Sequence, residues 1–225
     1  MSGGMVRWLL IFATGCGGLA GYNPAWMETD QGSPGWDDTD SDLDSDTDTD
    51  TDTDTDSDTE PLPYPNLYLS EVVDHEDISF IKFIEIYNAD DRSVNLGSWA
   101  IRRYSNGATT PDVLTLPGDA IKPGGAYVLA SSGSGVDTFL QQYGRSANLH
   151  SGKISGNGND VYELVFTGTV VDVYGEPGVD GLGQPWEYTD AVARRVTSVT
   201  RGRSAWQEKE WVIYDGAEEA TPFSR

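Results

Sequence analysis

The side chains able to do chemistry are few and scattered. His75 and His150 are the two histidines of the 225-residue chain. They stand far apart, with no His-x-x-x-His or His-Glu-x-x-His spacing to hold a catalytic metal, and both read as loop surface. Cys16 is the single cysteine, which excludes a disulfide within one chain and any multi-cysteine zinc site. No Gly-x-Ser-x-Gly elbow presents a nucleophilic serine. Gly152-Lys153 lacks the upstream glycine and the following Ser/Thr of a phosphate-binding loop. Glu71 and Glu85 are the carboxylates that could form an acid/base pair, but both sit inside apolar strand patterns. Structural pairing of a carboxylate with Arg102, Arg103 or Arg195 is the expected role. No catalytic residue, metal site or cofactor is assigned, and the chain does not read as an enzyme.

Two sets of side chains remain as binding candidates. Arg194, Arg195, Arg201 and Arg203 form one basic patch that could contact phosphate or acidic glycans. The competing and preferred expectation is that these arginines neutralise the chain's own acidic loops and tether. Among the tryptophans, Trp99 and Trp211 fall on strand positions and are expected in the core. Trp186 and Trp206 lie near loops and are the better candidates for a surface carbohydrate platform.

Charge is distributed unevenly. The formal charge is −23, yet residues 16–60 alone hold 15 Asp and Glu and no Lys or Arg. Residues 61–225 hold 13 Lys and Arg against 22 Asp and Glu, a net −9. Such a chain is soluble, self-repelling and a poor partner for nucleic acid or anionic lipid.

The first 15 residues read as a signal peptide: Arg7, then the apolar run Trp8-Leu9-Leu10-Ile11-Phe12-Ala13, then small residues. Met5 is an alternative start. The run is far shorter than the ~20 residues that span a bilayer. Ala13-Thr14-Gly15-Cys16 resembles a bacterial lipobox, which implies lipidation of Cys16. Gly17 after it implies, by the same resemblance, an outer-membrane or cell-surface location in a Gram-negative bacterium. Residues 16–65 read as a disordered linker. Their Thr-Asp repeats over 37–60 cannot bury enough apolar surface to offset the ordering entropy. An EF-hand type of calcium loop is not matched, since the glycine turn and closing glutamate are missing. Pro61-Leu62-Pro63-Tyr64-Pro65 marks the boundary.

From residue 66 the pattern is short strands separated by turn residues. Leu67–Val73, Phe80–Tyr87, Ala100–Tyr104, Val113–Leu116, Ala126–Ala130, Val161–Phe166, Thr169–Tyr174, Val192–Val196 and Trp211–Tyr214 are expected strands, with a short helix over Val136–Tyr143. Asn106-Gly107 and Thr167-Gly168 are hairpin signals. Many short strands at this spacing predict an all-β sandwich over 66–225. Ile84-Glu85-Ile86-Tyr87-Asn88 with Val94-Asn95-Leu96-Gly97-Ser98-Trp99 resembles the signature of the lamin-tail domain. So do Asn159-Asp160 before an apolar strand, Val171-Asp172-Val173-Tyr174-Gly175, an arginine-bearing strand and Glu210-Trp211, in that order. The likeness covers about residues 66–214 and implies an immunoglobulin-like β-sandwich. Bacterial members of that family are often secreted or tethered, sometimes beside nuclease or phosphoesterase domains. The expected function is a non-catalytic, lipid-anchored envelope or surface module. It would attach to the membrane through its N-terminal lipid and bind an envelope protein or polysaccharide. The alternative is an accessory module for extracellular nuclease or phosphoesterase activity or nucleic-acid binding, and the charge argues against nucleic acid as a partner.

Overall fold

A computed structural model describes residues 62–75 and 81–225. The signal peptide, Cys16 and nearly all of the linker lie outside the described residues, as does Phe80. Among the described residues, twelve strands and one α-helix follow in order, besides two short 3-10 turns: β1 (Leu67–Asp74), β2 (Lys82–Asn88), β3 (Val94–Asn95), β4 (Trp99–Tyr104), β5 (Asp112–Thr115), β6 (Ala120–Ile121), β7 (Ala126–Ala130), α1 (Gly135–Tyr143), β8 (Leu149–His150), β9 (Val161–Phe166), β10 (Thr169–Tyr174), β11 (Ala191–Arg195) and β12 (Trp211–Asp215). A six-stranded sheet has the order β12-β11-β1-β2-β7-β8, and a four-stranded sheet the order β10-β9-β4-β5. The two-residue strands β3 and β6 pair with each other. All pairings are antiparallel except β7 with β8. The all-β expectation holds. Every expected strand and the helix are present, with ends shifted by a residue or two; β6 and β8 are too short for the alternation to reveal.

The sandwich closes by the period-2 rule. Leu67, Leu69, Val72, Ile84, Ile86, Tyr127, Leu129 and Ala193 point inward from the first sheet, and Trp99, Ile101, Leu164 and Val171 from the second, forming one buried cluster. Ile84 and Ile86 are fully buried. The Thr167-Gly168 turn joins β9 to β10 with φ of 46° and 91°, the both-positive pattern of a tight hairpin that matches strand twist.

The outer face of the first sheet is not left to solvent. All eight residues of β1 are buried, because a third layer covers that face. Phe139 and Tyr143 of α1 pack edge-on against Phe83, with ring centroids 5.7 and 5.9 Å apart. Phe223 of the C-terminal segment meets Phe139 edge-on at 6.3 Å. Val73, Phe83, Val128, Phe139 and Val192 make a second apolar cluster there. Gly144 ends α1 in the left-handed region at φ 66°, its N–H bonded to the Leu140 carbonyl, a common helix stop.

Ile84→Asp would place a charge at the centre of the inner cluster, where nothing pairs with it. The buried carboxyl either stays charged at high cost or takes up a proton and remains an unpaired polar group, and either outcome removes a large share of a typical domain's stability of ~5–15 kcal/mol. The variant chain is expected to lose its near-ultraviolet circular dichroism and its cooperative urea transition. A wild-type unfolding midpoint would contradict the assigned register.

Candidate functional site

The four arginines of the basic patch have separate fates. Arg195, on β11, is buried. Its Nη1 and Nη2 donate to Asp172 Oδ2 and Oδ1 at 2.6 and 3.0 Å, the bidentate geometry a guanidinium is shaped for. Nη2 also donates to Glu210 Oε2 at 3.1 Å, and Nη1 to the Leu69 carbonyl at 3.2 Å. Arg203 gives its backbone N–H to Asp172 Oδ1 at 2.8 Å and its Nε to Glu210 Oε1 at 2.8 Å. Arg194 lies 3.5 Å from Glu71 Oε1 and over the Tyr214 ring at 4.9 Å. Arg201 is half-buried and lines a 380 Å³ groove with Tyr64, Asp90 and Arg92. The patch expected from sequence is therefore not one surface. Among the described residues, Arg194, Arg195 and Arg203 pair with Glu71, Asp172 and Glu210, which lie on or beside strands; the tether of the preferred expectation lies outside the described residues.

Asp172 is the centre of this network. It sits on β10 in the second sheet and accepts from Arg195 on the first. It also takes the Leu69 N–H at 2.7 Å. All its contacts are N–H donors, which suits an ionised carboxylate that can only accept. Burial pushes its carboxyl up; the Arg195 guanidinium and the backbone N–H groups of Arg203 and Leu69 pull it down. Register shifts lie at Leu69/Glu71 in β1 and at Val170/Asp172 in β10, so a bulge on each strand brings the two together. Gly202 is required beside it. A Cβ there would stand 2.8 Å from Asp172 Cβ and 2.9 Å from the Val171 carbonyl oxygen.

The tryptophan expectation is corrected. Trp186 is 3% exposed, and Trp206 is half-buried, stacked on Trp211 at 5.9 Å and edge-on to Tyr174 at 5.0 Å and Trp186 at 6.0 Å. The indoles close the core under the Gly175–Pro185 loop, where a large apolar ring gains most from burial. They form no flat exposed platform. Trp99 and Trp211 are in the core as expected. His75 is buried, against expectation, and His150 is half-buried, its Nδ1 2.8 Å from the Ser131 carbonyl.

Glu71 and Glu85 also depart from expectation. Neither pairs with Arg102 or Arg103, which bond Glu163 and Asp112 instead, nor with Arg195. They are Cα partners across β1 and β2, both essentially unexposed. Glu85 accepts from Ser70 Oγ at 2.7 Å and the Phe223 N–H at 2.6 Å. Glu71 accepts from the Thr221 N–H at 2.9 Å. Burial pushes the Glu71 carboxyl up to about 7. Burial and then the charge of Glu71 push Glu85 up to about 8. Between β1, β2, β11 and the C-terminal segment lies a 270 Å³ cavity lined by Glu71, Glu85, Arg194, Thr221 and Arg225 among others. No local pattern in residues 217–225 marks them as the cover of this face, since their contacts to Glu71 and Glu85 are long-range.

An immunoglobulin-like sandwich pinned by buried ion pairs, with an apolar-and-polar third layer, is the class this geometry defines. The Lamin Tail Domain family model matches residues 61–178, more than half of the chain, and the chain belongs to that family. No curated protein matches it. Strands β11 and β12 lie beyond the matched span yet complete the first sheet, and β11 supplies Arg195.

Asp172→Ala strands the Arg195 guanidinium in the interior, and breaking such a pair costs ~3–5 kcal/mol. Urea unfolding is expected to show that loss; a cost under ~1 kcal/mol would remove Asp172 as the sheet lock. The glutamates give a pH signature. Their folded values lie above the ~4.3 of an unfolded glutamate, so the folded chain binds more protons across that interval. The stability they contribute is complete below about pH 4 and is lost as pH rises through about 7 and about 8. Glu85→Gln is expected to reduce the fall in unfolding free energy between pH 5 and 8.5 by a few kcal/mol. An unchanged slope would contradict the assignment.

Proposed function

We propose that the protein is a non-catalytic, lipid-anchored surface module that displays its lamin-tail sandwich for binding to a protein or polysaccharide of the cell envelope. The observation that carries this reading is the consumption of charged side chains inside the fold. Arg195, Asp172 and Glu210, which a catalytic site would need accessible, fasten one sheet to the other. A scaffold pinned by buried ion pairs suits display and binding. The N-terminal sequence supports tethering: an apolar run ending in small residues before Cys16, then an acidic tract. From Gly17 to Pro65 there are 49 residues, a reach of at most about 170 Å. Among the described residues no helix is long and apolar enough to cross a membrane, so attachment in this reading is through lipid at Cys16. The nucleic-acid alternative draws less support. Duplex binding runs on lysine and arginine contacts to phosphate, and Arg195 cannot reach a phosphate without breaking its bonds to Asp172.

The test has two arms on the full chain. Metabolic labelling with palmitate is expected to mark the wild type and not Cys16→Ser; labelling of both or neither removes the anchor. Fluorescence anisotropy against duplex DNA at 0.15 M salt is expected to show no binding at micromolar concentrations. Micromolar affinity lost on Arg201→Ala with Arg203→Ala would move the protein to the nucleic-acid reading.

A further inference from the structure

We propose that the acidic segment Asp56-Ser57-Asp58-Thr59-Glu60, just ahead of the sandwich, docks back onto a basic cleft lined by Arg201, Arg203 and Lys209 and keeps other polyanions out of it. The inference stands on charge and on where the chain enters the domain, and it holds whether or not Cys16 carries a lipid. The cleft encloses about 200 Å³ and is formed wholly by the segment between β11 and β12. Arg201 and Arg203 are half-buried and Lys209 is exposed.

The chain enters the domain beside this cleft. Leu62 and Tyr64 line the 380 Å³ groove together with Thr200 and Arg201. Thr200 and Arg201 also line the basic cleft, so the two depressions adjoin there. Two hydrogen bonds hold the entry in place: Asn66 Nδ2 donates to the Thr200 carbonyl at 2.9 Å, and the Tyr68 hydroxyl to the Val199 carbonyl at 3.1 Å. An extended chain advances ~3.3 Å per residue, which puts Glu60 within ~7 Å of Leu62 along the chain and Asp56 within ~20 Å. With so few residues between, closing the loop costs little entropy, and the carboxylates stand at high effective concentration over the cleft. Alternate residues of an extended segment share a face, so the docked segment presents Asp56, Asp58 and Glu60 together.

Charge selects the cleft over the groove. Arg201, Arg203 and Lys209 share the cleft with one carboxylate, Glu210, which is divided between Arg203 and Arg195. Arg195 and Asp172 neutralise each other behind it. Arg225 is held to the same segment through the Val196 and Val199 carbonyls; its guanidinium and the chain-terminal carboxylate on the same residue add no net charge. Glu208, beside Lys209, is exposed and does not line the cleft. The cleft is therefore cationic, and guanidinium groups bind carboxylates well. The groove is balanced: Asp90 and Asp91 face Arg92 and Arg201, and Asp90 lies 3.5 Å from Arg92 Nε and accepts the Asn66 N–H at 3.2 Å. Exposed Asp91 repels an acidic chain on that side. A segment leaving Leu62 is thus steered past Arg201 into the cleft. Filled in this way, the cleft is closed to phosphate and sulfate polymers, and the tether proper begins upstream of Asp56.

Paramagnetic broadening of amide signals in the full chain tests this. A nitroxide is attached through Ser57→Cys in a Cys16→Ser background, which leaves every charge of the segment in place. At ~0.15 M salt, where the Debye length is ~8 Å, signal loss is expected to be heavier at Arg203 and Lys209 than at Asp90, Asp91 and Arg92. The asymmetry is expected to vanish at ~1 M salt, where that length is ~3 Å. The combined variant Asp56→Asn, Asp58→Asn and Glu60→Gln, whose changes lie outside the described fold, is expected to abolish it at the lower salt. Arg201→Gln with Lys209→Gln is expected to do the same from the cleft side. Equal losses on both sides overturn the proposal, as does an asymmetry indifferent to salt or to the combined variant. Broadening that appears in full when nitroxide-bearing chain is mixed with isotope-labelled chain lacking it assigns the cleft to a second copy and also overturns it. So does a sulfated oligosaccharide that shifts the Arg203 and Lys209 amides with equal affinity in the wild type and the combined variant, since a docked segment must compete.

Discussion

The fold depends on how the peptide of Leu69 is satisfied. Strand β11 pairs with β1 only from Glu71 onward, so the edge of Leu69 on that side has no strand beside it. Its N–H goes to Asp172 Oδ2 and its carbonyl accepts from Arg195 Nη1. The Asp172–Arg195 ion pair thus stands where a further strand residue would, and backbone groups buried there would otherwise be costly orphans. Because Asp172 belongs to the other sheet, the same pair also fixes how the two sheets meet. An apolar replacement could fill the volume, but it could not complete the ladder. That is the physical reason an ion pair with a high desolvation cost persists in this interior.

The consequences spread outward from this point. Arg195 reaches Glu210, Glu210 takes Arg203, and these bonds hold the segment between β11 and β12, whose Trp206 stacks on Trp211. The bulge that frees Leu69 also falls at Ser70 and Glu71. It sets Glu71 opposite Glu85 on the outer face, where Ser70 and the C-terminal segment supply their hydrogen bonds. One irregularity in β1 therefore organises both the closed interior and the polar cavity on the other side.

Membership of the lamin-tail family accounts for the sandwich and says little about a ligand, since function resides in sites placed on folds. The third layer is made of α1 and the C-terminal segment, which cover the glutamate pair. Burial raises the carboxyls of that glutamate pair toward neutrality, whereas both oxygens of Asp172 are taken up by N–H donors.

The sequence by itself determined the strands, the helix and the sandwich, because alternating side chains and turn residues are local signals. Ile84, Ile86, Trp99 and Trp211 announced their burial through strand patterning, and Thr167-Gly168 announced its hairpin. The acidic N-terminal tract was equally legible as composition. Only the tertiary structure decided which charges meet. Asp172 and Arg195 are 23 residues apart, and Glu85 meets the Phe223 N–H across 138, so no spacing rule could couple them. Trp186 looked exposed beside a glycine-rich loop, and Glu71 and Glu85 looked like ordinary strand residues seeking an arginine. The C-terminal segment covers the two glutamates, and Trp186 packs against Trp206 from the segment between β11 and β12. Burial of a side chain on a strand's second face is a property of what packs over it, and that is fixed by long-range contacts the local pattern does not carry.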